Sequence, residues 1–308
     1  MKIIAILTWR NIKIYFKDNF LLFSSFISPI ILLFLYILFL YRIFHESFDT
    51  LIKSNNTLEP IVDGICSGQV ISSLLAVIVI TIPFTIANVM VLDKSAGVTK
   101  DFFLTPVKKI TLALSYFLAT YISSLIICLT TMIWGLVYIY KMGWYLTSSD
   151  ILGLTIDTVL LTLLGTTLSV LINSFLSSMQ QVSIWGTIIG AGYGFFCGAY
   201  MPIHSFPQGV QNITLFNPAT YGTSNLRIHA MESAFNKLAD KHVPKEAIKK
   251  MEEALDMIPN FFGHTFNQTQ HYLIVLGGII ILMLAYFLFL VSKIVLKNNR
   301  HFHFKLCN

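Results

Sequence analysis

Few side chains in this 308-residue chain have the type and setting to do chemistry. Asp157 is the one acid well inside an apolar run, TIDTVLL, about two helical turns from the start of that run. An ionisable group at such a depth in a membrane helix is a functional candidate by default. The plainer expectation is that it pairs with a polar neighbour or with Lys141. An ion-driven carrier would want more buried ionisable groups than this one. His204, His229, His264 and His271 lie in or beside one later region, and His301 and His303 lie near the C-terminus. A lone His-x-His is a weak metal pattern, and Cys66, Cys128, Cys197 and Cys307 show no CxxC spacing, so no metal site is expected. There is no GxxxxGK[ST] phosphate loop, no HExxH and no GxSxG, so neither ATP hydrolysis nor metal- or serine-based hydrolysis is expected of this chain.

Two further groups of residues stand out. GVTKDFFLTPVKK (97–109) is a mostly polar segment between two charge-free apolar runs. Gly186, Gly190, Gly194 and Gly198 chain three GxxxG steps, a spacing that lets membrane helices approach closely. They read as internal packing, as a face for a second copy, or as the lining of a translocation path.

The elements that must position these residues are membrane helices. Charged residues make up 12% of the chain, half the usual share of about 25% in a soluble domain. Six apolar stretches are long enough to cross a ~30 Å hydrocarbon layer: 20–41, within 65–92, within 110–140, and about 151–173, 182–200 and 271–292. The expected fold is therefore an all-α integral membrane protein with six transmembrane helices. Residues 1–19 form an interfacial helix, with Arg10, Lys13 and Lys17 on one stripe and Ile4, Trp9, Ile12, Tyr15 and Phe16 opposite. Residues 20–200 carry spans one to five, with the polar segment at 93–109. Residues 201–226 hold three prolines and no charge and read as short re-entrant or interfacial helices. A soluble helical stretch, 227–258, completes a 201–270 outer region. Residues 293–308 are a basic tail.

Net charge is +6, but the basic residues sit at span ends, which points to lipid headgroups and not to nucleic acid. Six spans put both termini on one side. With the termini inside, the inner segments hold twelve Lys and Arg and the short outer loops three. The positive-inside rule thus predicts cytoplasmic termini and a cytoplasmic 93–109 segment.

That segment resembles the coupling region of type-2 ABC transporter permeases. In that family an apolar helix is followed by a charged pair, a glycine, an amphipathic turn and a Thr-Pro-Val that opens the third span. Asp93, Lys94, Gly97, Phe102, Phe103, Leu104, Thr105, Pro106 and Val107 occupy those places. The amphipathic N-terminus is similar to the family's elbow helix. Asn217-Pro218-Ala219-Thr220-Tyr221 resembles its Asn-Pro-x-x-Tyr element in the outer re-entrant region. Two departures stand beside these matches. Lys100, followed by Asp101, occupies a place where the family commonly has an acid, and the 227–262 insert is longer than the usual outer loop.

The resemblance implies a permease subunit of a bacterial cell-membrane ABC exporter. It would pair with a copy of itself or a similar permease, and with separate ATPase subunits that bind ATP and Mg. The substrate class implied is hydrophobic or amphipathic: a drug, an antimicrobial peptide or a lipid-linked molecule. Gly97 through Pro106, with Lys100 and Asp101, would form the coupling handle, Phe102, Phe103 and Leu104 supplying its apolar ridge. Asn217, Pro218 and Tyr221 would mark the re-entrant element. The competing readings are an immunity or binding protein that moves nothing, and a lipid or cell-wall enzyme using Asp157 with the outer histidines.

Overall fold

The computed structural model describes residues 2–36, positions 38, 42, 45 and 48, and residues 58–261 and 264–306. The architecture is all-α apart from one minimal hairpin, β1 (Asn260–Phe261) paired antiparallel with β2 (His264–Thr265).

α1 (Lys2–Lys17) and α2 (Asn19–Leu35) open the chain, tied by Tyr15 OH donating to Ser25 Oγ at 2.7 Å. The expected first span, 20–41, coincides with α2 and then continues into positions that lie largely outside the described residues. α3 (Glu59–Ser95) is the axis of the molecule. From Gly64 to Phe84 every residue is buried, because this charge-free run is apolar on most of its circumference, with only Ser67, Gln69, Ser72, Ser73 and Thr81 polar, and is covered on all sides. α5 (Lys109–Met142), α6 (Ser148–Phe175) and α10 (Pro218–Asp240) surround it, and α12 (Gln268–Leu306) packs on α6 and α10. Among the described residues four helices are long and apolar enough to cross a membrane: α3, α5, α6 and α12 as far as Ser292. α5 and α12 turn Ile133, Trp134, Ile281 and Leu288 outward, as lipid-facing surfaces should.

Several boundaries differ from expectation. The fifth apolar stretch is a broken rod: α7 (Met179–Thr187), a π-helical turn at Ile188–Gly192, and α8 (Tyr193–Phe196). The wider π turn shifts the register, so the four glycines form no continuous stripe. Gly194 receives the ring of Tyr200 and Gly198 lies beyond the helix, its β-position against Ile203; both neighbours belong to the following turn. After a 3₁₀ turn (Ile203–Ser205), α9 (Gln208–Leu215) leads to α10. The break expected near 226 is absent. α10 runs on to Asp240, since nothing between Leu226 and Arg227 stops a helix, and Met231, Phe235 and Leu238 of the supposedly soluble stretch are buried. Pro244 stands at the N-cap of α11 (Lys245–Ala254). The basic tail continues α12 as helix to Leu306.

Candidate functional site

The 93–109 segment is built by two local events. α3 ends at Ser95, and Gly97 takes the left-handed conformation (φ 82°, ψ −7°) that glycine adopts without steric cost. The chain turns there and starts α4 (Val98–Leu104). Thr105 Oγ1 then donates to Phe102 O at 2.7 Å, closing the short helix. Pro106 is exposed and Val107 packs inward, leading into α5.

A charged junction fastens this turn to the bundle. Arg10 of α1 grips Asp93 with both nitrogens, Nη1–Oδ2 at 2.5 Å and Nη2–Oδ1 at 3.0 Å. Tyr116 of α5 donates its hydroxyl to the same Asp93 Oδ2 at 2.5 Å. Asp93 is buried, so its charge is held by a bidentate guanidinium and a phenol instead of water. The carboxylate in turn raises the Arg10 pKa above its ordinary value. Arg10 also stands 5.3 Å over the Phe102 ring, a cation–π distance. One step along, Lys94 Nζ donates to the carbonyls of Asn173, Ser174 and Leu176 at 2.8, 3.2 and 3.1 Å. These are orphan acceptors at the end of α6. Four elements (α1, α3, α4, α5) therefore meet at Arg10 and Asp93, and Lys94 adds α6.

The candidate residues separate within this geometry. Arg10 leaves the expected basic stripe and turns inward, while Lys13 and Lys17 remain exposed. The buried face of α1 is Leu7, Thr8, Asn11 and Tyr15; Trp9, expected on the apolar side, is exposed. Phe102 is half-buried under Arg10, whereas Leu104 is 88% exposed beside exposed Lys100 and Asp101. The ridge expected from three apolar residues is therefore split, with one anchored inward and one presented outward. Phe103 lies in α4, with its side chain outside the described residues.

Two further polar clusters lie toward the other end of α3. Asp157 accepts from His229 Nδ1 of α10 at 2.7 Å, and His229 Nε2 meets Gln268 Nε2 of α12 at 2.8 Å. Asp150 and Ser233 add a second rung at 2.6 Å. Asp157 thus has a polar neighbour, as the plainer expectation held, but that neighbour is His229 and not Lys141. Replacing His229 with alanine is expected to leave the Asp157 carboxyl buried without this partner and to cost about 2 kcal/mol. A detergent thermal melt would check it, with Asp157→Asn milder because an amide still accepts from the imidazole.

The second cluster docks the insert. Asp256, in the left-handed region (φ 49°), accepts from Ile203 N and from His204 Nδ1 at 3.1 Å. Its carboxylate lies 3.8 Å from Arg227, which is fully buried and donates to Gly198 O at 2.5 Å. That hydrogen bond to Asp256 lifts the His204 pKa above the usual imidazole range. Asn217 caps α10 by accepting from Ala219 N at 3.2 Å, and Pro218 follows at the first helical position, where a missing N–H costs nothing. Tyr221 is buried and its ring contacts those of Phe266 and His271. Cys66, Cys128 and Cys197 are buried and form no disulfide among the described residues, and Cys307 lies outside them. Among the described residues no group of histidines, cysteines and acids could hold a metal ion.

A family model described as ABC-2 type transporter matches residues 3–230, which takes in α1, the charged junction and most of α10. The chain belongs to the ABC-2 type transporter family. It is a multi-pass membrane protein and the membrane component of an ABC transporter, a permease of a family that generally pairs with an ATPase subunit. A search of curated proteins finds no match.

Tyr116, Gln268 and Arg227 are the partners that sequence reasoning on this permease missed, whereas His229 was among the outer histidines set beside Asp157 in one competing reading. The only signal for the junction was Asp93 itself, an acid placed flush with the end of an apolar run.

Proposed function

We propose that this permease subunit works as an ATP-driven exporter of a hydrophobic or amphipathic substrate from a bacterial cell membrane. Two such subunits pair with two ATPase subunits, which bind ATP and Mg. α1 is the elbow helix and α4 the coupling helix. Six spans cross the membrane: the α2 segment, α3, α5, α6, the broken α7–α8 rod, and α12, with both termini cytoplasmic. α9 and the start of α10 form the re-entrant element on the far side.

The observation that carries this reading is the two-sided character of α4. Outward, it offers Leu104 with Lys100 and Asp101 to a partner's groove. Inward, Phe102 bears on Arg10, and Arg10 on Asp93 at the end of the central helix. A displacement of α4 reaches α1, α3 and α5 without crossing a flexible linker, apart from the single turn at Gly97. ATP acts through this contact only so far as the closed ATPase pair binds one arrangement of the permease better than the other.

The test is a tagged purification from the native membrane in mild detergent. An ATPase subunit should co-purify in near-equal amount, and Leu104→Asp should lose nearly all of it while the permease still inserts and elutes as a folded species. Wild-type chain that elutes without an ATPase, or a Leu104→Asp variant that retains it, would sink this assignment.

A further inference from the structure

At the end of the bundle remote from Asp93, α6, α10 and α12 meet along a polar seam centred on the His229 imidazole of α10. Nδ1 lies 2.7 Å from Asp157 Oδ2 of α6, and Nε2 lies 2.8 Å from Gln268 Nε2 at the start of α12. The side chain of Asp157 is 1% exposed and that of His229 15%, so the carboxylate is enclosed while the ring keeps an exposed edge. Tyr272 of α12 stands beside the same carboxylate, and Ser233 joins Asp150 further along. A β-carbon on Gly153 of α6 would overlap the ring, so the glycine lets the imidazole seat against that helix. The charged groups that act on the ring are Asp157 and Asp150 of α6 and Glu232 of α10. α3 carries no charge from Gly64 to Phe84, and Arg227, two residues away on α10, is directed to Gly198 and Asp256.

The two contacts of the ring fit either protonation state. A neutral imidazole donates from Nδ1 to the carboxylate and accepts at Nε2 from the Gln268 amide nitrogen. An imidazolium donates from both nitrogens, and a half-turn of the Gln268 amide puts its oxygen where its nitrogen stood. We propose that His229 and Asp157 form a proton-binding site, in which Nε2 takes a proton from water and Gln268 turns its amide to receive it. The Asp157 contact then becomes an ion pair. The Gln268 contact becomes charge-assisted and roughly twice as strong as its neutral form, so the bound proton clamps α6, α10 and α12 together. Burial opposes the imidazolium, but the hydrogen bond to Asp157 and the charges of Asp157, Asp150 and Glu232 outweigh it and raise the His229 pKa. The clamp is therefore complete below the ordinary imidazole range and is released as pH rises through the raised value. His271 is the contrast within the same seam. It is buried, its Nδ1 meets the Asn225 amide oxygen at 2.9 Å, and its Nε2 has no hydrogen-bond partner among the described residues. A proton there would bring a charge into the core with no carboxylate to meet it, so the seam holds one proton site and not two. The site rests on neither the orientation nor the ATPase assignment given above.

The experiment is deuterium exchange at the carbon-bound imidazole hydrogen in the folded, full-length chain, read by peptide mass spectrometry across pH, which gives a titration midpoint for each histidine. The His229 midpoint is expected above the ordinary value of about 6.5, and this reading needs no variant. Asp157→Asn keeps an acceptor for Nδ1 and removes the charge. It should lower the midpoint by about one unit, a roughly ten-fold loss of proton affinity. A His229 midpoint at or below the ordinary value, or one that Asp157→Asn leaves unmoved, overturns the proposal. The clamp is read by amide deuterium exchange in the first turns of α12, corrected for the intrinsic rate. From about pH 8 to about pH 6, protection of these amides should rise about five-fold in the wild-type chain and stay unchanged in His229→Gln, whose amide takes no proton. Equal responses in the two chains would overturn the clamp.

Discussion

Asp93→Ala is expected to destabilise the permease by about 3 kcal/mol and to weaken communication between α4 and the spanning helices. The stability loss follows from what the carboxylate holds. Removing it strands the Arg10 guanidinium, which is 30% exposed, and takes away the acceptor of the Tyr116 hydroxyl. Breaking a buried ion pair from one side costs roughly 3–5 kcal/mol, and the partial exposure of Arg10 places this case at the low end. Replacing both partners with apolar residues separates the two effects. Arg10→Met with Asp93→Leu leaves no uncompensated charge and should recover most of the thermal stability, since well-packed apolar pairs often match buried ion pairs. It should not recover coupling, because the bidentate link between α1 and α3 is gone. The checks are a detergent melt of each variant and the nucleotide-hydrolysis rate of the co-purified complex. A double variant with both stability and hydrolysis restored would make the junction purely structural.

The sequence foretold this fold wherever hydrophobic transfer decides the structure and misled wherever a long-range polar contact does. The runs at 65–92, 110–140, 151–173 and 271–292 became α3, α5, α6 and α12 with small shifts, because a long charge-free run admits few other arrangements in a membrane. The turn at 97 was legible too, since a glycine after a charged pair marks a helix end. The partners were not. Arg10 lies 83 residues from Asp93, and His229 lies 72 from Asp157; no local pattern encodes such pairings. Arg227 misled directly. A charge next to an uncharged stretch suggests a surface boundary, yet it is buried against Gly198 O and Asp256, and α10 passes straight through it. The four glycines misled for a local reason, because a π turn inside their run breaks the spacing that a straight helix would keep.

Gly165→Val is expected to keep the chain from reaching its folded state, at a cost of about 3 kcal/mol or more, the upper end of overpacking penalties. The cause starts in the neighbouring helix. Pro83 has no N–H, so the carbonyl four residues earlier, that of Val79, lacks its ordinary intrahelical donor. A β-carbon built on Gly165 falls far inside contact distance of that oxygen and also meets Val79 C at 2.9 Å. Only the α-carbon of a glycine lets α6 close over the place where the proline has freed a carbonyl, and a Cα–H···O contact there is the weak kind that recurs at close helix crossings. Backbone cannot move aside as a flexible side chain can, so any larger residue must push α6 away from α3 along a shared, fully buried seam. Gly277→Val is the control: its added β-carbon meets nothing within 4 Å, and it should change stability by no more than about 0.5 kcal/mol. Fluorescence-detected gel filtration with a temperature ramp reads both variants. Pro83→Ala serves as a further probe of the same seam. It restores the donor to Val79 O inside α3, and should straighten α3 and loosen its fit to α6 instead of stabilising the bundle. A Gly165→Val chain that melts with the wild type would mean that the α3–α6 crossing is not held at this point.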